Sequence, residues 1–174
     1  MRFSKFRAPA LTALMLVLAA ITSAAPADAP AAPPGPGPAW DALKSLQGEW
    51  EGLYNGTMKT RITYRLVSNG TALMETSVSP ESGDMVTMYH PDGKRLFLTH
   101  YCSMNAQSRM QAAAGDAKRI VFSFVDVTNL ASPDAMRMTG LVFTLKDPDH
   151  FTQEWTATAG GKSDTGRFEF TRKK

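Results

Sequence analysis

The sequence predicts an all-β domain, an antiparallel barrel of about ten strands preceded by one short helix. Three observations point there. Turn signals recur at short intervals after residue 47: Asn55-Gly56, Asn69-Gly70, Ser82-Gly83, Gly115-Asp116, Asp147-Pro148 and Gly160-Gly161. Between them, apolar and polar residues alternate with period two. Ile62, Tyr64 and Leu66 oppose Arg61, Thr63 and Arg65; Ile120, Phe122 and Phe124 share a face, as do Phe151, Gln153 and Trp155; Phe168 and Phe170 alternate with Arg167, Glu169 and Thr171. No helical pattern interrupts this series. So many strands need closure, or two packed sheets, to manage their edges. A barrel of this size holds one small ligand or fills itself with side chains.

In chain order, residues 1–25 read as a signal peptide. Arg2, Lys5 and Arg7 form a basic start, Ala8 to Ile21 is apolar, and Thr22-Ser23-Ala24-Ala25 offers small residues for cleavage. The alternative, an uncleaved anchor, is weakened by the many alanines and by Pro9. The reading is an exported protein, periplasmic or secreted, with no stable membrane insertion after cleavage. Residues 26–39 are Pro/Ala-rich, a composition that buries too little to order itself and reads as a stiff tether. The domain then runs from 40 to 174.

The charge follows this division. The chain has 19 Lys+Arg and 16 Asp+Glu, and the signal holds three of the bases and no acids. The mature chain is therefore balanced, 16 against 16, and gives no support for nucleic-acid binding. The single cysteine, Cys102, excludes an internal disulfide, so the core must supply the stability. Nothing in the sequence sets a subunit number.

Trp40 to Leu46 forms a short helix with Trp40, Leu43 and Leu46 on one side. The expected strands are 48–54, 58–67, 72–78, 84–90, 94–102, 108–113, 119–127, 136–146, 151–158 and 165–172. The longest irregular link, Thr128 to Asp134, is the best lid candidate. The hairpin from Asp84 to Met104 is central. A three-residue loop at Pro91-Asp92-Gly93 would pair His90 with Lys94, Met88 with Leu96, Val86 with Leu98 and Asp84 with His100. That register buries Val86, Met88, Leu96 and Leu98 and sets His100 beside the Asp84 carboxylate.

Chemistry-bearing residues are few. His100, Cys102 and Met104 at spacing two would share a strand face, a soft set suited to copper(I) or zinc. Against this stand the ordinary core roles of His and Cys and the lack of any repeated ligand spacing, so no metal and no cofactor is assigned. Glu75 follows Met74, and alternation sends the two in opposite directions; with Met74 inward, Glu75 faces solvent. An inward Glu75 would have a raised pKa and could serve as an acid or base. The Met-rich composition fits core gap-filling first and an adaptable apolar pocket second. No Gly-x-Ser-x-Gly, His-Glu-x-x-His or phosphate loop occurs, and no spacing nominates a catalytic triad.

Gly48-Glu49-Trp50, after a short helix and opening the first strand, resembles the G-x-W signature of lipocalins and the wider calycin group. That resemblance implies a Trp closing one barrel end under an Arg from the last strand, here Arg172 or Arg167. The run Met88-Tyr89-His90-Pro91-Asp92-Gly93, with Leu98-Thr99-His100-Tyr101-Cys102, Phe124-x-Asp126-x-Thr128-Asn129 and Gln153-Glu154-Trp155, is similar to a family of exported bacterial lipocalin-like proteins of largely uncharacterised function. It covers most of the chain after residue 46 and implies a calycin-type barrel. The family tends to have Gly-Asn-Gln after the Cys, where this chain has Ser103 to Gln107, and Arg137 stands where a histidine is expected. Haem-binding nitrobindin also begins G-x-W-x-G, matched by Gly48, Trp50 and Gly52, but its late-strand haem ligand has only His150, beside a turn, as a counterpart.

The functional expectation is binding of a small apolar or amphipathic molecule inside the barrel. The expected pocket residues are Tyr64, Met88, Leu98, His100, Cys102, Met138 and Trp155. Alternatives are an enzyme using His100 with Asp84 or Glu75 for proton transfer, and a ligand-free module that binds a protein partner.

Overall fold

The computed structural model describes residues 37–79, 83–112 and 116–174. The expected signal peptide, and the tether as far as residue 36, lie outside the described residues. The short helix α1 runs from Pro38 to Lys44, with its proline in the first turn where a missing N–H is harmless. It therefore begins two residues inside the stretch expected to be tether, and Ala39 is fully buried.

Ten strands follow: β1 (Gly48–Tyr54), β2 (Met58–Val67), β3 (Ala72–Ser79), β4 (Gly83–Asp92), β5 (Arg95–Tyr101), β6 (Gln107–Ala112), β7 (Arg119–Thr128), β8 (Arg137–Asp147), β9 (His150–Ala159) and β10 (Lys162–Arg172). Each pairs antiparallel with its sequence neighbours, and β1 pairs with β10 from Trp50↔Arg172 to Tyr54↔Phe168, which closes the barrel. Closure leaves no unpaired edge, the solution expected for so many short strands.

One end, the helix end, is plugged. Trp50 is fully buried and its Nε1 donates to Leu46 O at 2.7 Å. The Arg172 guanidinium lies 4.2 Å from the Trp50 ring and donates to Ser45 O, Gln47 O and Pro148 O. Of the two arginines considered for this role, Arg172 fills it; Arg167 instead pairs with Glu154 and Glu169 on the outer wall. Trp40, Leu43 and Leu46 are buried beside Trp50. Phe151 meets Trp50 edge-on at 4.6 Å and stacks on Phe170 at 5.0 Å, extending the plug into the barrel.

The β4–β5 hairpin departs from expectation. Its loop has two residues, Gly93 and Lys94, and Asp92 pairs with Arg95, Pro91 with Leu96, Tyr89 with Leu98 and Thr87 with His100. Gly93 has φ +57° at the first loop position, where a tight primed hairpin turn favours glycine. Pro91 sits within the strand instead of in the turn. The register moves by an odd number of residues, so β4 turns over. Thr87 and Tyr89 face inward and are buried; Val86 and Met88 are half-buried on the outer face.

Two bulges also matter. One lies between the Arg109↔Asp126 and Met110↔Phe124 pairs, where Val125 is the extra residue; Phe124 keeps the register of Ile120 and Phe122, although it is 37% exposed. The other lies between Met138 and Gly140, where Thr139 is the extra residue. It places Met138 opposite Ala157, on the same face as Gln153 and Trp155.

Candidate functional site

The barrel interior holds a buried polar cluster beside a small cavity. Tyr64 on β2 lies directly opposite Glu75 on β3. Tyr64 Oη donates to Glu75 Oε2 at 2.6 Å, Tyr89 Oη to the same oxygen at 2.7 Å, and Gln153 Nε2 to it at 2.8 Å. Gln153 Nε2 also reaches Tyr64 Oη at 2.7 Å, and Gln153 Oε1 accepts from Trp155 Nε1 at 3.0 Å. Every strand contributing to this cluster is distant in sequence from at least one other, so only the closed ring assembles it.

Burial pushes the Glu75 carboxyl up, and the three donors partly offset that shift. No cationic side chain among the described residues contributes to it. Tyr64 and Tyr89 are held well above the ordinary phenol value, first by burial and then by the neighbouring Glu75 charge. Glu75 Oε1 carries no protein hydrogen bond among the described residues.

His100 lies opposite Thr87, and its Nδ1 is 2.9 Å from Thr87 Oγ1. Its ring packs on Trp155 with centroids 4.7 Å apart. Nε2 is buried and has no hydrogen-bond partner among the described residues. Burial lowers the His100 pKa to about 4, so the ring is neutral at pH 7.

The cavity has a volume of about 50 Å³. Its buried lining is Glu75, His100, Gln153, Trp155 and Phe170; Ser77, Met85, Met138 and Phe168 are half-buried and form its solvent side. Pockets for drug-sized ligands run to about 300–1,000 Å³. This one accommodates a few non-hydrogen atoms, or the head of a longer molecule. A cleft of about 700 Å³ on the outer wall, lined by Glu51, Leu53, Lys59, Arg61, Val78 and Glu169 among others, has only exposed or half-exposed charged residues of both signs. Its lining also includes the buried Thr60, whose Oγ1 has no hydrogen-bond partner among the described residues.

Of the residues expected to line a pocket, His100, Met138 and Trp155 meet at this cavity. Tyr64 is buried behind it and holds Glu75. Leu98 is fully buried in the core cluster, away from the lining. Met88 points outward because of the hairpin register. Cys102 lies past the end of β5, half-buried in the turn whose N–H bonds Ala106 O. The His100–Cys102–Met104 series is broken there, and Met104 is exposed. No group of three or more His, Cys, Asp or Glu side chains gathers among the described residues. His150 is half-exposed and paired with Asp147 at a turn. Asp84, expected beside His100, is exposed and pairs with Val78.

Glu75 is the main correction. It faces inward, and Met74 faces out. The signal was present: a four-residue turn from Ser68 to Thr71 joins Val67 to Ala72, and counting back places Glu75 opposite the inward Tyr64. Gln153 was on the predicted inward face but not read as polar machinery. Ser77, Met85, Phe168 and Phe170 complete the lining.

No protein-family model matches the chain, and no curated protein matches it. Among solved structures it is similar to a redesigned beta barrel, at 13% identity over 76% of this chain and 96% of that chain, with a TM-score of 0.37. The described residues form a closed, antiparallel ten-stranded β-barrel with one short α-helix, a fold capable of holding a ligand.

Proposed function

We propose that this is an exported, lipocalin-like barrel of calycin type that binds a small apolar or amphipathic molecule between the polar cluster and the half-buried methionines. The observation that carries this reading is an interior cavity whose lining includes His100, whose buried Nε2 has no hydrogen-bond partner among the described residues. An orphaned polar atom in an apolar setting costs about 1–3 kcal/mol, and an occupant that bonds it recovers part of that. Trp155, Phe170, Met85 and Met138 would bury the apolar part, and methionine side chains adapt to more than one shape. Trp50 under Arg172 at the plugged end supports the calycin resemblance, and the basic, apolar and small-residue sequence of residues 1–25 supports export.

Native mass spectrometry on protein purified from the exported fraction tests this reading. A bound small molecule that is lost in Met138→Trp, which fills the cavity mouth, is the expected result. Protein that carries nothing, and that shows no saturable thermal shift with short alcohols, would overturn it. A second reading, proton transfer on the bound molecule, is supported by Glu75 and His100 lining the same cavity. Unchanged turnover in His100→Ala, measured on any activity found, removes it.

A further inference from the structure

We propose that the polar end of the occupant is a small organic ammonium, bound against the free oxygen of Glu75. This rests on the ligand-binding reading above and names the chemistry of its polar group.

The cavity lining contains one carboxyl and no basic side chain capable of being charged at neutral pH. Glu75 is buried, and three donors converge on Oε2. Those donors fix the carboxyl through one oxygen and leave Oε1, on a residue that lines the cavity, with no protein donor among the described residues. The remaining lining suits a cation: Trp155, Phe168 and Phe170 present aromatic rings, and aromatic faces attract ammonium groups. An anion would meet a carboxyl and π faces with no cationic donor. A purely apolar occupant would leave Glu75 Oε1 without a donor. An ammonium with one N–H satisfies Oε1, and a primary or secondary one has further N–H groups for Ser77, which is also in the lining.

Size narrows the class. At roughly 10–15 Å³ of such volume per water, the space holds about three to five non-hydrogen atoms. Propylammonium and trimethylammonium fit that range, and a longer amine would pass its chain outward between Met85 and Met138, both on the half-buried side.

Binding of a cation favours ionised Glu75, so affinity rises with pH as the carboxyl ionises and falls when the amine itself deprotonates, near pH 10. The other titratable groups facing Glu75 are Tyr64, Tyr89 and His100. The first two are neutral across this window because burial and the Glu75 charge raise them, and His100 because burial lowers it.

The test uses the mature chain and isothermal titration with propylammonium and trimethylammonium chloride, against n-propanol and sodium propionate at equal ionic strength. The expected result is saturable binding of the ammonium ions, at least tenfold tighter than the alcohol, with none for propionate. Glu75→Gln should weaken the ammonium response at least tenfold and leave the alcohol response in place. Should that variant fail to fold, Ser77→Lys tethers an ammonium at the cavity and should abolish the response to added amine. Alcohol binding as tight as ammonium binding, or an undiminished ammonium response in both variants, overturns the proposal while the ligand-binding reading stands. Absence of binding by every probe overturns both, leaving a cavity that holds water only.

Discussion

Tyr64 and Glu75 face one another across the β2–β3 ladder, and the Tyr64 hydroxyl donates to Glu75 Oε2 at 2.6 Å. A cross-strand pair thus does inside the barrel what a surface pair does with water's help: it supplies a carboxyl with a donor. Tyr64→Phe keeps the ring and removes that donor and the acceptor for Gln153 Nε2. It should destabilise the fold by about 1–2 kcal/mol in urea denaturation. Tyr64→Phe with Tyr89→Phe should lose less than the sum of the single changes if Glu75 responds by becoming neutral.

Glu75 gives a pH dependence of the less usual sign. Its folded pKa is raised above the unfolded value. The folded state therefore holds the proton more tightly, and the associated stability is present below the unfolded pKa and lost as pH rises through the folded pKa. Glu75→Gln should flatten this part of the curve, as read from urea midpoints between pH 4.5 and 8. An identical slope in wild type and variant would show that Glu75 is not the titrating group.

His100 works in the opposite direction along the same axis. Its folded pKa is about 4, below the unfolded 6.5. The unfolded state binds more protons between these values, so stability falls as pH drops from 6.5 toward 4, by on the order of 3 kcal/mol in full. His100→Phe keeps a ring against Trp155 and should remove that slope. Proton NMR of the His100 ring checks the pKa directly, with Glu75 as the only carboxyl on the shared cavity wall.

Much of this architecture was legible in the sequence, and the exceptions share a cause. Alternation in β2 and β9 identified the inward faces carrying Tyr64 and Trp155, and the resemblance of Gly48-Glu49-Trp50 to the G-x-W signature implied the stack on Trp50, which Arg172 and not Arg167 makes. Face assignment failed in β3 and β4. There both faces carry apolar residues, Leu73 against Met74 and Met88 against Tyr89, so alternation has no sign and only the turn length sets it. Reading the Gly93 loop one residue too long moved Met88 inside. The polar cluster escaped for another reason: a buried glutamate is unfavourable by itself, and its three donors come from β2, β4 and β9, which no local pattern connects.

Arg172 offers a sharper test of the plugged end. Arg172→Ala removes three donor contacts to backbone carbonyls and the stack on Trp50, and should cost about 2–3 kcal/mol after allowing for its partial exposure. Arg172→Lys should restore less than half, because one ammonium cannot span Ser45, Gln47 and Pro148 together. Urea midpoints give the size, and faster proteolysis near α1 would locate the loss.

Gly52→Ala should destabilise by about 1–3 kcal/mol, against the usual gain from replacing a strand glycine. An added Cβ would collide with the Phe170 ring and lie 2.7 Å from Glu169 O, which is backbone and cannot swing aside. A urea midpoint equal to wild type would show that β10 yields there.

The β1–β10 seam has a consequence for the order of events during folding. The strand that opens the ring finds its second neighbour only in Lys162–Arg172, more than a hundred positions downstream. Until that segment arrives, β1 and β9 each expose a row of bare amides and carbonyls, and the carboxyl of Glu75 awaits a donor from β9. Long-range pairing of this kind slows the search for the native state. A chain that has not yet paired β10 therefore presents two open strand edges on which another copy could template.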